Sequence, residues 1–345
     1  MNQKQRVISQ IHHQPTDLIP TAKLEFEGDV AERLDAHYGS PEWRSLVKES
    51  DHILRTSAVN RDGTQVKGTR ALYTDAFGSR WRGDKRTLHL EEPGLKEPSL
   101  KNYRFPEPAD FIRVNWREEL IGNIRQNRGK FVVSGLGFGM FVRTWIIRGF
   151  VNALTDAAAE PVFYEELLDK LCAVDLAVLD EVLTVPIEGV MLDGDWGDQR
   201  GIMLGPERWR RFIKPRLARL YERIHKAGKY VVQHSCGNIR DVIPDLIEIG
   251  LDVLQCVQPE AMSPYELKKQ FGKDLTFWGG LGSQRIIPFG TPEEIRREID
   301  RLCRVMGQGG GYILGPTKAL QPETPTKNAA AVVESFLEKA GASVH

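Results

Sequence analysis

From about residue 130 onward, short apolar runs alternate with long amphipathic stretches, and this alternation restricts the chain to parallel strands joined by crossover helices. The runs at 131–134, 189–193, 230–234, 253–256, 275–278 and 311–314 read as strands, with an earlier one at 19–24. Helix starts are legible between them. Pro206-Glu207 opens a helix reaching about Ala227, Thr291-Pro292 opens another, and Thr324-Pro325 opens the last. An open doubly wound sheet and a closed barrel both satisfy this order. Polar and reactive residues choose between them: Asp193 and Asp195, His234 and Cys236, Cys256 and Gln258, Gly279 and Gly280, and Lys318 recur at the C-terminal ends of successive strands. A barrel gathers one site from many loops in this way. The expected fold is an α/β, (β/α)8 TIM-type barrel over residues 1–345 as one domain, with about 28–110 as an N-terminal elaboration capping it.

Charge narrows the partners. Lys plus Arg equals Asp plus Glu, 47 each, so no polyanion-binding surface is indicated and a small-molecule substrate is expected, without nucleic acid or membrane. The first twenty residues lack the apolar core of a signal peptide and no apolar run is long enough to span a bilayer, which points to a cytoplasmic location. The four cysteines, 172, 236, 256 and 303, form no CxxC pair and are too sparse for a disulfide framework. Cys172 and Cys303 fall inside amphipathic helices and read as packing.

His234 and Cys236 are two residues apart, so an extended strand end points both to one side. Cys256 closes the next strand. One imidazole and two thiolates on one rim are typical Zn²⁺ ligands, leaving a fourth position for a carboxylate, water or substrate. The bland reading of a strand cysteine is core filling. Asp193 and Asp195 are the nearest acids; the block Asp193 to Asp198, with Trp196, serves either as loop capping or as ligand and general base. Gly135-Leu136-Gly137-Phe138-Gly139 has the wrong spacing and position for a phosphate loop and reads as a pocket wall. Phe138, Phe141, Trp145 and Phe150, with Arg143 and Arg148, line a substrate cavity or belong to the core. Substrate-binding candidates are Asp193, Trp196, Arg143 and Gln258.

Over residues 186–338 the chain resembles the uroporphyrinogen decarboxylase superfamily. The stretches that carry the resemblance are Lys214-Pro215-Arg216, His225-Lys226-Ala227-Gly228-Lys229, His234-Ser235-Cys236-Gly237-Asn238, Val257-Gln258-Pro259-Glu260, Trp278-Gly279-Gly280, Gly309-Gly310-Gly311-Tyr312-Ile313-Leu314 and Pro322-Glu323-Thr324-Pro325. The fold this implies is again a (β/α)8 barrel. The decarboxylases carry an N-terminal Arg-Gln-Ala-Gly-Arg for a polycarboxylate tetrapyrrole, whereas this chain reads Thr21-Ala22-Lys23-Leu24-Glu25-Phe26-Glu27, whose acids would repel it. Their later histidine is also missing, with Lys318 nearby. The methyltransferase-like members hold zinc with a His-x-Cys pair and a later Cys. His234 and Cys236 match the pair; no cysteine stands near Gly315-Pro316-Thr317-Lys318, so either Cys256, with or without an aspartate, takes the third place or the chain has no tight zinc site.

The resemblance therefore implies a zinc-dependent methyltransferase moving a methyl group between a small O- or N-methylated substrate and a corrinoid protein or thiol. In it Asp195 or Tyr312 would manage a proton, Lys318 would orient an anionic group, and the chain would be a homodimer. The rival of another class is a metal-free decarboxylase holding a small carboxylate with Lys318 and Arg143.

Overall fold

The computed structural model describes residues 1–59, 67–69, 72–83 and 88–342. In chain order its strands are β1 (Ile53–Ser57), β2 (Lys67–Thr69), β3 (Leu72–Thr74), β4 (Arg80–Gly83), β5 (Leu88–Glu92), β6 (Phe131–Gly135), β7 (Gly189–Asp193), β8 (Tyr230–His234), β9 (Val253–Cys256), β10 (Thr276–Leu281) and β11 (Tyr312–Pro316). Seven of them form a curled parallel sheet in the order β1-β6-β7-β8-β9-β10-β11, with helices around it, a TIM-like arrangement.

The six strands expected from residue 130 onward are all present, within a few residues of their expected ends. The expected strand at 19–24 is reduced to a bridge between Thr21 and Leu314. Pro20 has no N–H to donate, so this segment forms only a partial ladder. It still meets both edges of the sheet. Leu314 N–H donates to the Pro20 carbonyl (2.9 Å), Ala22 N–H to the Leu314 carbonyl (2.8 Å), and His52 N–H to the Thr21 carbonyl (3.0 Å).

Alternate residues of each strand face two different cores. Ile53, Val133, Met191, Val232, Val253 and Ile313 fill the concave interior, closed at the N-terminal end by Val7 and Ile11 of helix Gln3–Ile11. Val132, Val190, Leu192, Val231, Leu254 and Phe277 pack outward against the helices. Chain polarity and this alternation aim the last interior-facing residue of each strand at the C-terminal rim.

Two expectations need correction. The 28–110 elaboration is not wholly separate from the sheet: it contains β1, which pairs with β6 from Ile53 against Phe131 to Ser57 against Gly135. The elaboration proper is the antiparallel sheet β2-β3-β4-β5 and its flanks, and within it residues 60–66, 70–71 and 84–87 lie outside the described residues. Ser79 Oγ donates to the Ile146 carbonyl (3.0 Å) and Leu95 N–H to the Ile147 carbonyl (3.0 Å), which seats it on helix Met140–Arg148. The helix expected from 206 to about 227 is two, Pro206–Phe212 and Lys214–Lys226. Pro215 cannot donate to residue 211 and its ring crowds that carbonyl, so the helix restarts there. Among the described residues no helix is long and apolar enough to cross a membrane.

A candidate metal centre on the C-terminal rim

Register places Asp193 beside His234 and His234 beside Gln255, so β7, β8 and β9 present one rung of three polar residues. Each lies two residues beyond an interior-core residue, Met191, Val232 and Val253, and shares its face. His234 Nδ1 hydrogen-bonds Gln255 Oε1. An amide oxygen only accepts, so Nδ1 carries a proton and Nε2 turns to the groups on its other side. There Nε2 lies 3.5 Å from Cys236 Sγ and 3.3 Å from Asp195 Oδ1, and Cys236 Sγ lies 3.8 Å from Cys256 Sγ. The ligand atoms of His234, Cys236 and Cys256 all fall within 4.8 Å of one another.

Backbone hydrogen bonds hold the loop after β8 residue by residue. Ser235 N–H donates to the Gln255 carbonyl (2.8 Å), Cys236 N–H to Asp195 Oδ1 (2.9 Å) and Gly237 N–H to Gln258 Oε1 (3.1 Å). Asp195 (φ 47°) and Val257 (φ 46°) both adopt left-handed backbone. For a β-branched valine this conformation costs about 1–3 kcal/mol, so the packing around Cys256 over-determines it. Gly139 touches the same rim: a Cβ there would stand 1.7 Å from the Asp193 carbonyl oxygen, so the glycine run is a wall built on close backbone approach.

Electrostatics follow from this crowding. Burial opposes charge on His234, yet the hydrogen bonds with Asp195 and Cys236 raise its pKa well above the usual value. Burial would also raise Asp195, but His234 and the Cys236 N–H hold it down at about 2. The hydrogen bond from Cys256, with His234, lowers the Cys236 thiol to about 6, while Cys256, sharing that bond, is raised. The cluster is thus an imidazolium, a carboxylate and a thiolate in contact, and a metal taking Nε2 and the second thiol would release their protons. Burial pushes Cys172 and Cys303 up to about 11. At pH 7 with metal removed, iodoacetamide is therefore expected to alkylate Cys236 first; mass spectrometry showing Cys303 modified faster would contradict the thiolate assignment.

The remaining sequence candidates divide sharply. Gln258 is buried against the loop, its Oε1 occupied by Gly237 while Nε2 has no partner among the described residues. Lys318 is exposed just past β11. Arg143 is not brought to the cluster. Its guanidinium is buried in an ion pair with Asp175, donates to the Leu136 carbonyl (3.3 Å) and lies over Phe111, so it binds the fold together. Trp196 points into the outer core, edge-on to Trp209 at 5.3 Å, and its backbone N–H alone meets the loop through Ser235 Oγ. Tyr312 also faces outward: it is fully buried and its hydroxyl donates to the Gly279 carbonyl (2.8 Å). Asp198 caps its own turn through Arg200 and Gly201 N–H. Gln255 went unforeseen. Its place one strand over from His234, in register, is the signal that identifies it.

Residues 81–338 match the family described as "Uroporphyrinogen decarboxylase (URO-D)". A uroporphyrinogen decarboxylase of Thermus thermophilus is 30% identical over 138 residues, 40% of this chain and 38% of that protein. A methylated-thiol–coenzyme M methyltransferase of Methanosarcina mazei is 25% identical over 136 residues, 39% of this chain and 34% of that one. Both matches span well under half the relative's length. The solved structure of a methyltransferase from Methanosarcina mazei superposes with a TM-score of 0.70 at 18% identity, covering 98% of this chain and 99% of that one. That likeness is one of fold. Because the family match runs through most of the chain, including the whole candidate site, the chain belongs to the uroporphyrinogen decarboxylase (URO-D) family.

Proposed function

We propose that the chain is a zinc-dependent methyltransferase of this family, moving a methyl group between a small O- or N-methylated substrate and a corrinoid protein or thiol. One observation carries the reading: the donor spacings of His234, Cys236 and Cys256. In a tetrahedral site with Zn–S of about 2.3 Å and Zn–N of about 2.0–2.1 Å, two sulfurs stand about 3.8 Å apart and nitrogen and sulfur about 3.5–3.6 Å. The chain has 3.8 Å between its two sulfurs and 3.5 Å between His234 Nε2 and Cys236 Sγ, with all three donors within 4.8 Å of one another. The methyltransferases among its similar proteins lend the reading further support. The same reading takes the segment around Thr21 as the eighth stave of a (β/α)8 barrel, and the active unit as a homodimer.

Bound zinc would supply Lewis acidity toward a thiol or ether heteroatom at the fourth position. Gln255 orients His234, the outer partner that metal-bound imidazoles require. The Cys236 N–H fixes Asp195 Oδ1 beside the cluster, where the carboxylate can take the proton of an acceptor thiol. Lys318, exposed on the rim, is free to meet an anionic group there. The metal-free decarboxylase reading loses one of its two cations, because Arg143 is already neutralised by Asp175.

The test is direct: protein purified without chelator should hold about one zinc per chain and transfer methyl from methylcobalamin to a small thiol. The activity should vanish on chelation and return with zinc. No stoichiometric metal, or full activity in chelator, would sink the proposal. Asp195→Asn should lower turnover or metal affinity about tenfold or more, the scale of general acid-base groups. Asp198→Asn, a change in a surface turn, should leave both unchanged and shift stability by about 0.5 kcal/mol or less. Equal turnover of wild type and Asp195→Asn would remove Asp195 from the chemistry.

A further inference from the structure

Arg55 lies at the centre of β1, on the face of Ile53, which belongs to the interior core. Its Nη2 reaches across β6 to Met191 Sδ on β7 (3.7 Å), another interior residue, so the guanidinium sits inside the curl of the sheet. It is nonetheless exposed, which means the interior is open to solvent above it. Other arginines near this wall are neutralised: Arg143 by Asp175, Arg148 by Asp156, Arg113 by Glu119. No carboxylate lies within ion-pair distance of Arg55 among the described residues, and a thioether is a poor substitute for one.

We infer that Arg55 is the anion-binding group of the mouth, and that the small molecule bound there carries a carboxylate. The inference rests on reading this mouth as the active site, and it names the substrate class the methyl-transfer proposal leaves open. A guanidinium offers two parallel N–H donors matched to a planar carboxylate, and held against an apolar wall it gains more from such a pair than a surface arginine does. Met191 precedes Asp193 by two residues, about 7 Å along a strand, so the guanidinium lies on the order of 7–10 Å below the rung of Asp193, His234 and Gln255. Allowing for one hydrogen bond and one metal–ligand bond, the carboxylate and the methyl-bearing heteroatom would be roughly 2–5 Å apart in the ligand. Tetrapyrroles with many carboxylates exceed what one guanidinium can match.

The experiment measures binding rather than turnover. Two acids, 3-methoxypropionate and 3-methoxybenzoate, are each compared with their neutral primary amide by calorimetry or ligand-observed NMR at pH 7. Wild type should bind at least one acid about tenfold more tightly than its amide, the scale of a hydrogen-bonded charge pair. Arg55→Met, which keeps the apolar stem, should lose that preference, and Arg55→Lys should keep part of it. Cys236→Ser should lose metal and keep the preference, so a failure of the zinc reading registers separately from a failure of this one. Wild-type protein that binds neither acid better than its amide overturns the inference whether or not the variants fold, and so does an Arg55→Met variant that retains the preference.

Discussion

Cys236→Ala is expected to leave a folded chain that holds no stoichiometric zinc, with affinity reduced by more than about 100-fold. Loss of an outer partner of a metal ligand already costs about 10–100-fold, and Cys236 would be a ligand itself. It is the central donor, touching both Nε2 of His234 and Sγ of Cys256, so its removal leaves those two without a common neighbour. The fold should survive. Cys236 is only partly buried and its backbone N–H still reaches Asp195, so the loop keeps its anchors. Cys303→Ala is the matched control: half-buried on helix Pro292–Met306 and outside the cluster, it should lose no metal. Elemental analysis and titration against a competing chelator read the result. Zinc should also raise the unfolding midpoint of wild type with the logarithm of its concentration above the dissociation constant and leave Cys236→Ala unmoved. A Cys236→Ala chain that keeps one tightly bound zinc would end the assignment of this cluster.

The parallel sheet is legible because β6 to β11 are short apolar runs separated by helices with readable caps, a pattern with few solutions. β1 escapes such a reading because Arg55, Thr56 and Ser57 make it look like loop. Its place in the sheet comes from pairing with β6, a long-range fact that no local window contains. The helix break before Pro215 has a local signal in the proline itself, but the apolar period that continues across it hides the break.

At the site, His234 and Cys236 yield to simple parity on a strand end. Cys256 does not follow from parity: alternation would set Gln255 and Cys256 on opposite faces, yet Gln255 bonds His234 and Cys256 meets Cys236. The chain leaves regular geometry here, with Val257 at φ 46°. Tyr312 misleads for the opposite reason. In a strand buried on both faces every residue is apolar, so nothing in Tyr312-Ile313-Leu314 marks which face is which. Arg143 looks available in the sequence because its partner Asp175 lies 32 residues away on another helix. Charge alone, without the fold, cannot distinguish a neutralised arginine from a free one, and Arg55 is the converse case.

Gly279→Ala should be a severely damaging small substitution, costing about 2–6 kcal/mol and abolishing zinc binding together with stability. Two independent costs add. Gly279 has φ +121°, where an alanine is strained by about 1–3 kcal/mol. A Cβ there would also stand 1.9 Å from the Cys256 carbonyl oxygen and 2.8 Å from its carbonyl carbon, an overlap that must be relieved by moving β9, at about 1–3 kcal/mol. Gly279 and Cys256 are direct partners between β10 and β9, so the displaced residue is the one that supplies the second thiol. β10 has little room to yield instead: the Gly279 carbonyl is held by the buried Tyr312 hydroxyl, and all six residues of the strand are buried. The clash therefore falls on the metal cluster. Gly129→Ala separates the two costs, since Gly129 has φ +95° but nothing within 4 Å of its Cβ position. It should lose only the strain energy and bind zinc normally. Denaturant midpoints and zinc titrations of the two variants, side by side, read both effects, and a Gly279→Ala chain with wild-type zinc affinity would show that the approach of β10 to Cys256 does not set the site.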